Sequence, residues 1–256
     1  MADVHGGRSA LAFIWRDAKR VVGPAARQLR QALDRRRKIH FLHIGKNAGS
    51  QVGLVAAQVN QHSDRVRIVV QGHGVRLLDL PPSHDYFFSI RDPIGRFVSG
   101  FYSRKRKGQP RIYVEWTEDE AAAFARFDHA NDLAEALFQP GPDGQAAFAA
   151  IKSIFHTAMD QVSWFERRGQ FLEVRPPIAI LRQESLTRDL TAFLDVIGCA
   201  DMPIEVSRDP VSAHSNTYEG IPRLSDRAKD NLRRWYAQDY ELYARCCEWI
   251  EMRQGG

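Results

Sequence analysis

The chain has 256 residues, 44% of them hydrophobic, and a formal net charge of +5. That length and apolar content can bury a substantial core within a single α/β domain. Three cysteines, two of them adjacent as Cys246 and Cys247, make neither a disulfide framework nor a zinc pattern, which points to a reducing compartment. The positive balance favours an anionic partner but does not choose among nucleotide, acidic polysaccharide, nucleic acid and membrane surface.

Residues 1–38 read as a separate basic amphipathic segment and residues 39–256 as the main domain. From 9 to 38 the apolar Leu11, Ile14, Trp15, Ala18, Val22, Ala25, Leu29 and Leu33 recur at helical spacing, divided by Gly23 and Pro24. The other face is basic and ends in the run RRRK at 35–38. Two readings fit: a helix packed on the domain with a solvated basic face, or peripheral adsorption to anionic lipid. The longest apolar run near the start, residues 11–15, is far short of the ~20 residues a membrane span needs, so no signal peptide or membrane anchor is expected.

Residues 39–51, IHFLHIGKNAGSQ, predict a strand buried on both faces, a glycine-containing loop with one lysine, and a helix over 50–59. Gly45 and Gly49 are expected to supply positive φ and close backbone approach. Backbone amides from 46 to 51, the positive end of the helix and Lys46 would then face an anion. The loop is not a Walker A sequence, because His40 stands where a glycine is needed and Asn47 follows the lysine in place of Ser or Thr. A tight turn with a solvated lysine is the plainer alternative.

Residues 66–70 (VRIVV) predict a second strand, ending at His73 between Gly72 and Gly74. A histidine at a strand's carboxyl end either overhangs a ligand crevice or is hydrogen-bonded in a turn. A third strand, 86–90 (YFFSI), runs into Arg91, with Asp92 as N-cap and Pro93 as first residue of a helix that ends near Gly108. Arg91 and Ser99, two turns into that helix, are placed to converge on a second phosphate. Arg104, Lys105, Arg106 and Lys107 suit the negative end of the helix, or an anionic acceptor.

Residues 117–120 form a capping box for a helix running towards Phe138, with Phe124, Phe127, Leu133 and Leu137 as its core face. QPGPDG at 139–144 reads as a loop and 146–168 as helix, its aromatics Phe148, Phe155, Trp164 and Phe165 expected in the core. Residues 177–183 predict a fourth strand, followed by Glu184 and a helix ending at Ile197 and Gly198. Ser225 caps a long amphipathic helix whose packed face carries Leu232, Trp235, Tyr236, Tyr240 and Tyr243.

The pair FLHIGKNAGS and SIRDPIGRFVSGFY resembles the 5′-phosphosulfate loop and 3′-phosphate motif of sulfotransferases that use 3′-phosphoadenosine 5′-phosphosulfate, in particular the heparan sulfate 2-O-sulfotransferase and carbohydrate sulfotransferase group. The likeness runs in order from 39 to about 250 and is loose between 110 and 175. It implies an α/β fold, a mostly parallel sheet flanked by helices with P-loop-like connectivity. Lys46, Asn47, Ala48, Gly49, Ser50 and Gln51 would hold the donor, with Lys46 at its bridging oxygen, and Arg91 and Ser99 would contact the 3′-phosphate. The segment 208–220 resembles a loop that folds over the nucleotide, so His214, Ser215 and Asn216 are further donor contacts. His73 is similar to the family's catalytic base. Glu184 would either orient a base or acceptor hydroxyl or pair with a basic side chain.

The activity these features imply is in-line transfer of a sulfonate group to a hydroxyl of an acceptor, a carbohydrate such as a polysaccharide, oligosaccharide or glycolipid. A metal is not obligatory in such a transfer, nucleic acid is not the expected partner, and the location implied is cytoplasmic or at the inner face of the membrane. Two alternatives stand beside it: a P-loop kinase, weakened by the missing hydroxyl after Lys46, and a nucleotide- or polyanion-binding module without catalysis.

Overall fold

The computed structural model describes residues 34–110, 112–165, 169–206 and 220–254. The stretch 9–33 of the basic segment and the donor-loop residues His214, Ser215 and Asn216 lie outside them. The chain divides into two compact units, 1–37 and 38–256, the second of which contains the sheet and its helices.

Four apolar runs become the strands β1 (Arg37–Leu42), β2 (Val66–Val70), β3 (Asp85–Ile90) and β4 (Ala179–Arg182) of a parallel sheet in the order β2-β1-β3-β4. Register pairs Phe41 with Phe87 across β1 and β3, and Phe88 with Ile180 across β3 and β4. The runs are continuous because helices cover both faces. Period two then sorts the side chains: Ile39, Phe41 and Phe87 join one buried cluster, while Leu42, Ile44, Phe88 and Ile90 join another.

The first face packs against α1 (Gly49–His62) through Val52, Val55 and Val59. Beyond β3 come α2 (Pro93–Lys105), α3 (Glu118–Arg126), α4 (Ala130–Ala136), α5 (Pro142–Ser153) and the short α6 (Phe171–Val174). The helix α7 (Leu186–Val196) follows β4 and adds Leu190, Phe193 and Leu194 to the first face. Next in the chain are α8 (Asp226–Trp235) and α9 (Ala237–Gln254), which lays Leu242, Cys246 and Ile250 against the second face. A third cluster joins α2, α3, α4, α5 and α8 around Phe97, Phe101, Leu133 and Leu232. Among the described residues no helix is long and apolar enough to cross a membrane.

Four expected elements differ. The helix opened by the Thr117 and Glu120 capping box stops at Arg126 and restarts at Ala130, whose amide donates to the Tyr102 hydroxyl; the break lets Phe124, Phe127, Leu133 and Leu137 all enter the third cluster. The expected loop at 139–144 already contains a helix start, with Pro142 in the first turn, where a missing N–H costs nothing. The expected helix over 146–168 ends at Ser153, and an irregular stretch replaces it. The C-terminal helix is two, broken at Tyr236.

After β1 the chain moves to β2 at one edge, and after β3 it proceeds towards β4 on the other side. The connections leaving the adjacent β1 and β3 therefore diverge and leave a crevice at the sheet's carboxyl end, where open parallel sheets bind ligands.

Two glycine replacements test the packing. Gly53→Ala, in α1 with nothing within 4 Å of an added Cβ, should stabilise the fold by about 0.5–1 kcal/mol. Gly144→Ala would bring a Cβ to 1.9 Å from the Gln139 carbonyl oxygen and should destabilise by about 1–3 kcal/mol, read as opposite displacements of the urea midpoint.

Candidate functional site

The loop between β1 and α1 takes its shape from positions other than those expected. Lys46 (φ 69) and Ala48 (φ 59) are the left-handed residues, whereas Gly45 and Gly49 are not. Gly49 is required for space: an added Cβ would lie 1.7 Å from Nε2 of His43, whose ring rests on it. Ala48 stands at the N-cap of α1 and has no side-chain oxygen to cap it. The amides that open α1 thus meet the crevice beside Lys46.

Left-handed non-glycine residues cost about 1–2 kcal/mol each, so the surrounding structure must hold them. Asn47, fully buried, donates from Nδ2 to the Ser89 carbonyl at 2.9 Å and to Gln161 Oε1 at 2.6 Å, and the Ser89 hydroxyl donates back to the Asn47 carbonyl. Arg96 reaches from α2 beneath the loop and donates through Nε to the Gly45 carbonyl at 3.0 Å. Lys46, Ala48, Gly49 and Ser50 line the crevice. The side chains of Asn47 and Gln51 are buried, so either residue would meet a donor through its backbone amide, and the Asn47 side chain fastens the loop to β3.

Arg91 leaves the end of β3 and also lines the crevice, as does Ser99 on α2. Its Nη1 donates to the Lys46 carbonyl at 3.4 Å, which ties the two strand-end motifs together. Asp92 caps α2 by accepting from the Gly95 amide at 2.8 Å. Glu184 is tied elsewhere. Its Oε1 accepts from the Asp92 amide at 2.8 Å and its Oε2 from the Tyr243 hydroxyl at 3.3 Å. Among the described residues these two bonds are made to a backbone amide and a tyrosine hydroxyl, and they fix the turn that presents Arg91.

His73 overhangs the loop from the end of β2. Its Nδ1 lies 3.0 Å from the His43 carbonyl and its ring centroid 4.0 Å from that of His43. A carbonyl only accepts, so Nδ1 is the donor, which makes Nε2 the nitrogen that carries the lone pair in the neutral form of the ring. His156 approaches the same point. A Cβ built on Gly45 would be 3.7 Å from His156 Nδ1 and 3.8 Å from His73 Nδ1. Burial, followed by the fields of Lys46 and Arg96, pushes His156 down to about 3, so it is neutral at ordinary pH.

The cavity these residues line has a volume of about 610 Å³. Away from Lys46 it is bounded by Ser103, Thr117, Ile112, Val114 and Phe155. Arg104, placed by sequence at the negative end of its helix or before an anionic acceptor, is buried and bonds Glu120 at 2.7 and 2.5 Å. Burial would raise the Glu120 carboxyl, but Arg104 and the amides of Phe155 and Thr117 outweigh it and hold the group below the usual carboxylate range. Phe155, expected in the core, is 52% exposed and borders the cavity because α5 ends two residues earlier.

Gln161 and Asp239 complete the frame. Gln161 Nε2 donates to the Arg91 carbonyl at 2.8 Å, and both Asp239 oxygens accept backbone amides, from Gln161 at 2.8 Å and Val162 at 2.9 Å. Burial raises Asp239 to about 6 despite those two bonds and the field of Arg96. Sequence reasoning missed His43, Arg96, His156, Gln161 and Asp239. His43 and Arg96 sit inside the two motifs that were singled out, whereas nothing local marks the other three.

A scan of the chain against protein-family models finds no match, and a comparison with curated proteins finds none.

The two perturbed groups make opposite contributions to stability against pH. Asp239 is raised from 3.8 to about 6, so its contribution is present below the unfolded value and lost as pH rises through the folded one. His156 is depressed from 6.5 to about 3, so its contribution is present above 6.5 and lost as pH falls. Asp239→Asn should therefore steepen the rise of stability with pH between about 4 and 6, and His156→Gln should flatten it, as measured by urea denaturation at each pH.

Proposed function

We propose that this chain transfers a sulfonate group from 3′-phosphoadenosine 5′-phosphosulfate to a hydroxyl of an acceptor, on a P-loop-like sulfotransferase architecture. One observation carries the reading: two anion-binding features open into a single cavity. One is Lys46 beside the uncapped start of α1, and the other is Arg91 with Ser99, joined to the first through the Lys46 carbonyl at 3.4 Å. A donor bearing a phosphosulfate at one end of its ribose and a phosphate nearby presents two such anions. When bound, it supplies an activated sulfonate whose departure leaves charge on a phosphate oxygen.

The residues of this chain divide the work. Lys46 and the opening amides of α1 meet the phosphosulfate, where preorganised donors in a sheltered cleft stabilise developing charge. Arg91 and Ser99 hold the second phosphate and so fix the donor's orientation. His73, its Nδ1 proton held on the His43 carbonyl, offers Nε2 to the acceptor hydroxyl and takes its proton. His156, pushed down to about 3, is a poor proton acceptor and lines the same cavity. The resemblance of the two motifs adds that the acceptor is a carbohydrate, while the cysteine usage and the basic segment support a location in the cytoplasm or at the inner face of a membrane.

Transfer of labelled sulfonate from the donor into a panel of hydroxyl compounds tests the reading directly. Two outcomes are expected. 3′-Phosphoadenosine 5′-phosphate at a hundredfold excess over its Kd should stabilise the fold by about 2.7 kcal/mol, and ATP at the same concentration by less; equal shifts, or a preference that survives Arg91→Ala, would overturn the assignment of the second phosphate site. His73→Asn should lower kcat by about 10²–10⁴ while leaving nucleotide binding intact, and a variant with unchanged kcat would move the base elsewhere.

A further inference from the structure

The far end of the cavity is apolar, and its apolar side chains are held open to solvent. Ile112 is 64% exposed, Val114 52% and Phe155 52%, and all three line the cavity. Among the described residues ten large hydrophobic side chains are exposed, and these three gather at the cavity, with the exposed Tyr113 between two of them in the chain. Scattered exposed apolar residues need no explanation, whereas a gathered set rimmed by polar groups marks a binding surface.

This wall is built. The buried Arg104–Glu120 pair holds both of its sides: Arg104 Nη1 donates to the Val114 carbonyl at 3.2 Å, and Glu120 Oε1 accepts the Phe155 amide at 3.2 Å. The Val114 amide donates to the Lys107 carbonyl at 2.8 Å, and Trp116 Nε1 to the Arg104 carbonyl at 2.7 Å. Removing two charges from water is expensive, and here the pair fixes two backbone segments whose side chains stay exposed. The wall also adjoins the proposed base. The Phe155 ring centroid lies 5.1 Å from that of His156, and His156 and His73 meet over Gly45.

We propose that the acceptor carries its reactive hydroxyl on an apolar body, of about one or two rings or a short hydrocarbon chain, which packs on Ile112, Val114 and Phe155 while the hydroxyl reaches His73. The proposal rests on the sulfotransferase reading for the word acceptor; the apolar subsite stands on the cavity alone. Of the carbohydrates implied by the motif resemblance, a glycolipid fits this wall and an unsubstituted polysaccharide does not. Carboxylates near the wall are already engaged, Glu120 by Arg104 and Glu115 by Lys107, so the wall does not call for a cationic ligand.

The test uses 2-naphthol and glucose as probes, with binding measured by calorimetry on the full chain, with and without 3′-phosphoadenosine 5′-phosphate. 2-Naphthol should bind and glucose should not. Ile112→Ser and Phe155→Ser, both at exposed positions that leave the core untouched, should each weaken naphthol binding about tenfold or more and leave nucleotide binding unchanged. Naphthol affinity that is absent, or equal in both variants and the parent chain, overturns the proposal. If naphthol binds and the variants weaken it while the nucleotide fails to bind, the apolar subsite stands and the sulfotransferase reading falls.

Discussion

One glutamine side chain decides whether the carboxyl end of the sheet is a site or merely a set of loops. Gln161 accepts from Asn47 Nδ2 at 2.6 Å and from the Arg91 amide at 3.2 Å, donates to the Arg91 carbonyl at 2.8 Å, and is itself held through its own amide by Asp239. It therefore connects the loop after β1, the end of β3 and α9. Each bond in such a network counts for more inside the protein than in water, and each partner removed leaves a buried polar group unsatisfied. The left-handed Lys46 and Ala48 persist because this frame over-determines their neighbours.

The buried charges follow the same logic. Arg96 lies beneath the loop, 2% exposed, and donates to the carbonyls of Gly45 and Met159; burial lowers its pKa, opposed first by the field of Asp239. Arg104 and Glu120 do for the far wall what Arg96 and Asp239 do for the loop. Apolar residues of equal volume could fill these positions, but they could not bond the carbonyls and amides that place Gly45, Val114 and Phe155. The charges specify geometry at a cost in desolvation. One consequence is electrical: burial, reinforced by the cations gathered around the crevice, keeps His156 neutral, and those cations leave the cavity suited to anions at one end.

Much of this was legible in local sequence. Strands of five or six apolar residues, the Asp92–Pro93 helix start, the Thr117–Glu120 capping box and Ser225 all act within a few residues of themselves, so pattern and capping chemistry locate them. Lys46, His73, Arg91 and Ser99 could be brought to one crevice because the carboxyl ends of parallel strands share one side of the sheet. The errors came where local signals were ambiguous. PGPDG reads equally as turn and as helix start, and the tract from 146 onward keeps an apolar content that suits helix or irregular core alike.

The sequence by itself determined the parallel α/β sheet, its four strands and seven residues of the crevice, since these depend on periodicity, on capping and on which end of a strand a residue occupies. Tertiary structure alone decided that Glu184 would hold the Asp92 amide, that Asn47 would turn inward to β3, and that His156 would approach His73 at Gly45. Those outcomes rest on partners far apart in the chain, such as Asn47 with Gln161 and Gln161 with Asp239. A side chain's choice among bonding to backbone, pairing and facing a cavity is made by whichever distant segment packs against it, and no local pattern records that segment.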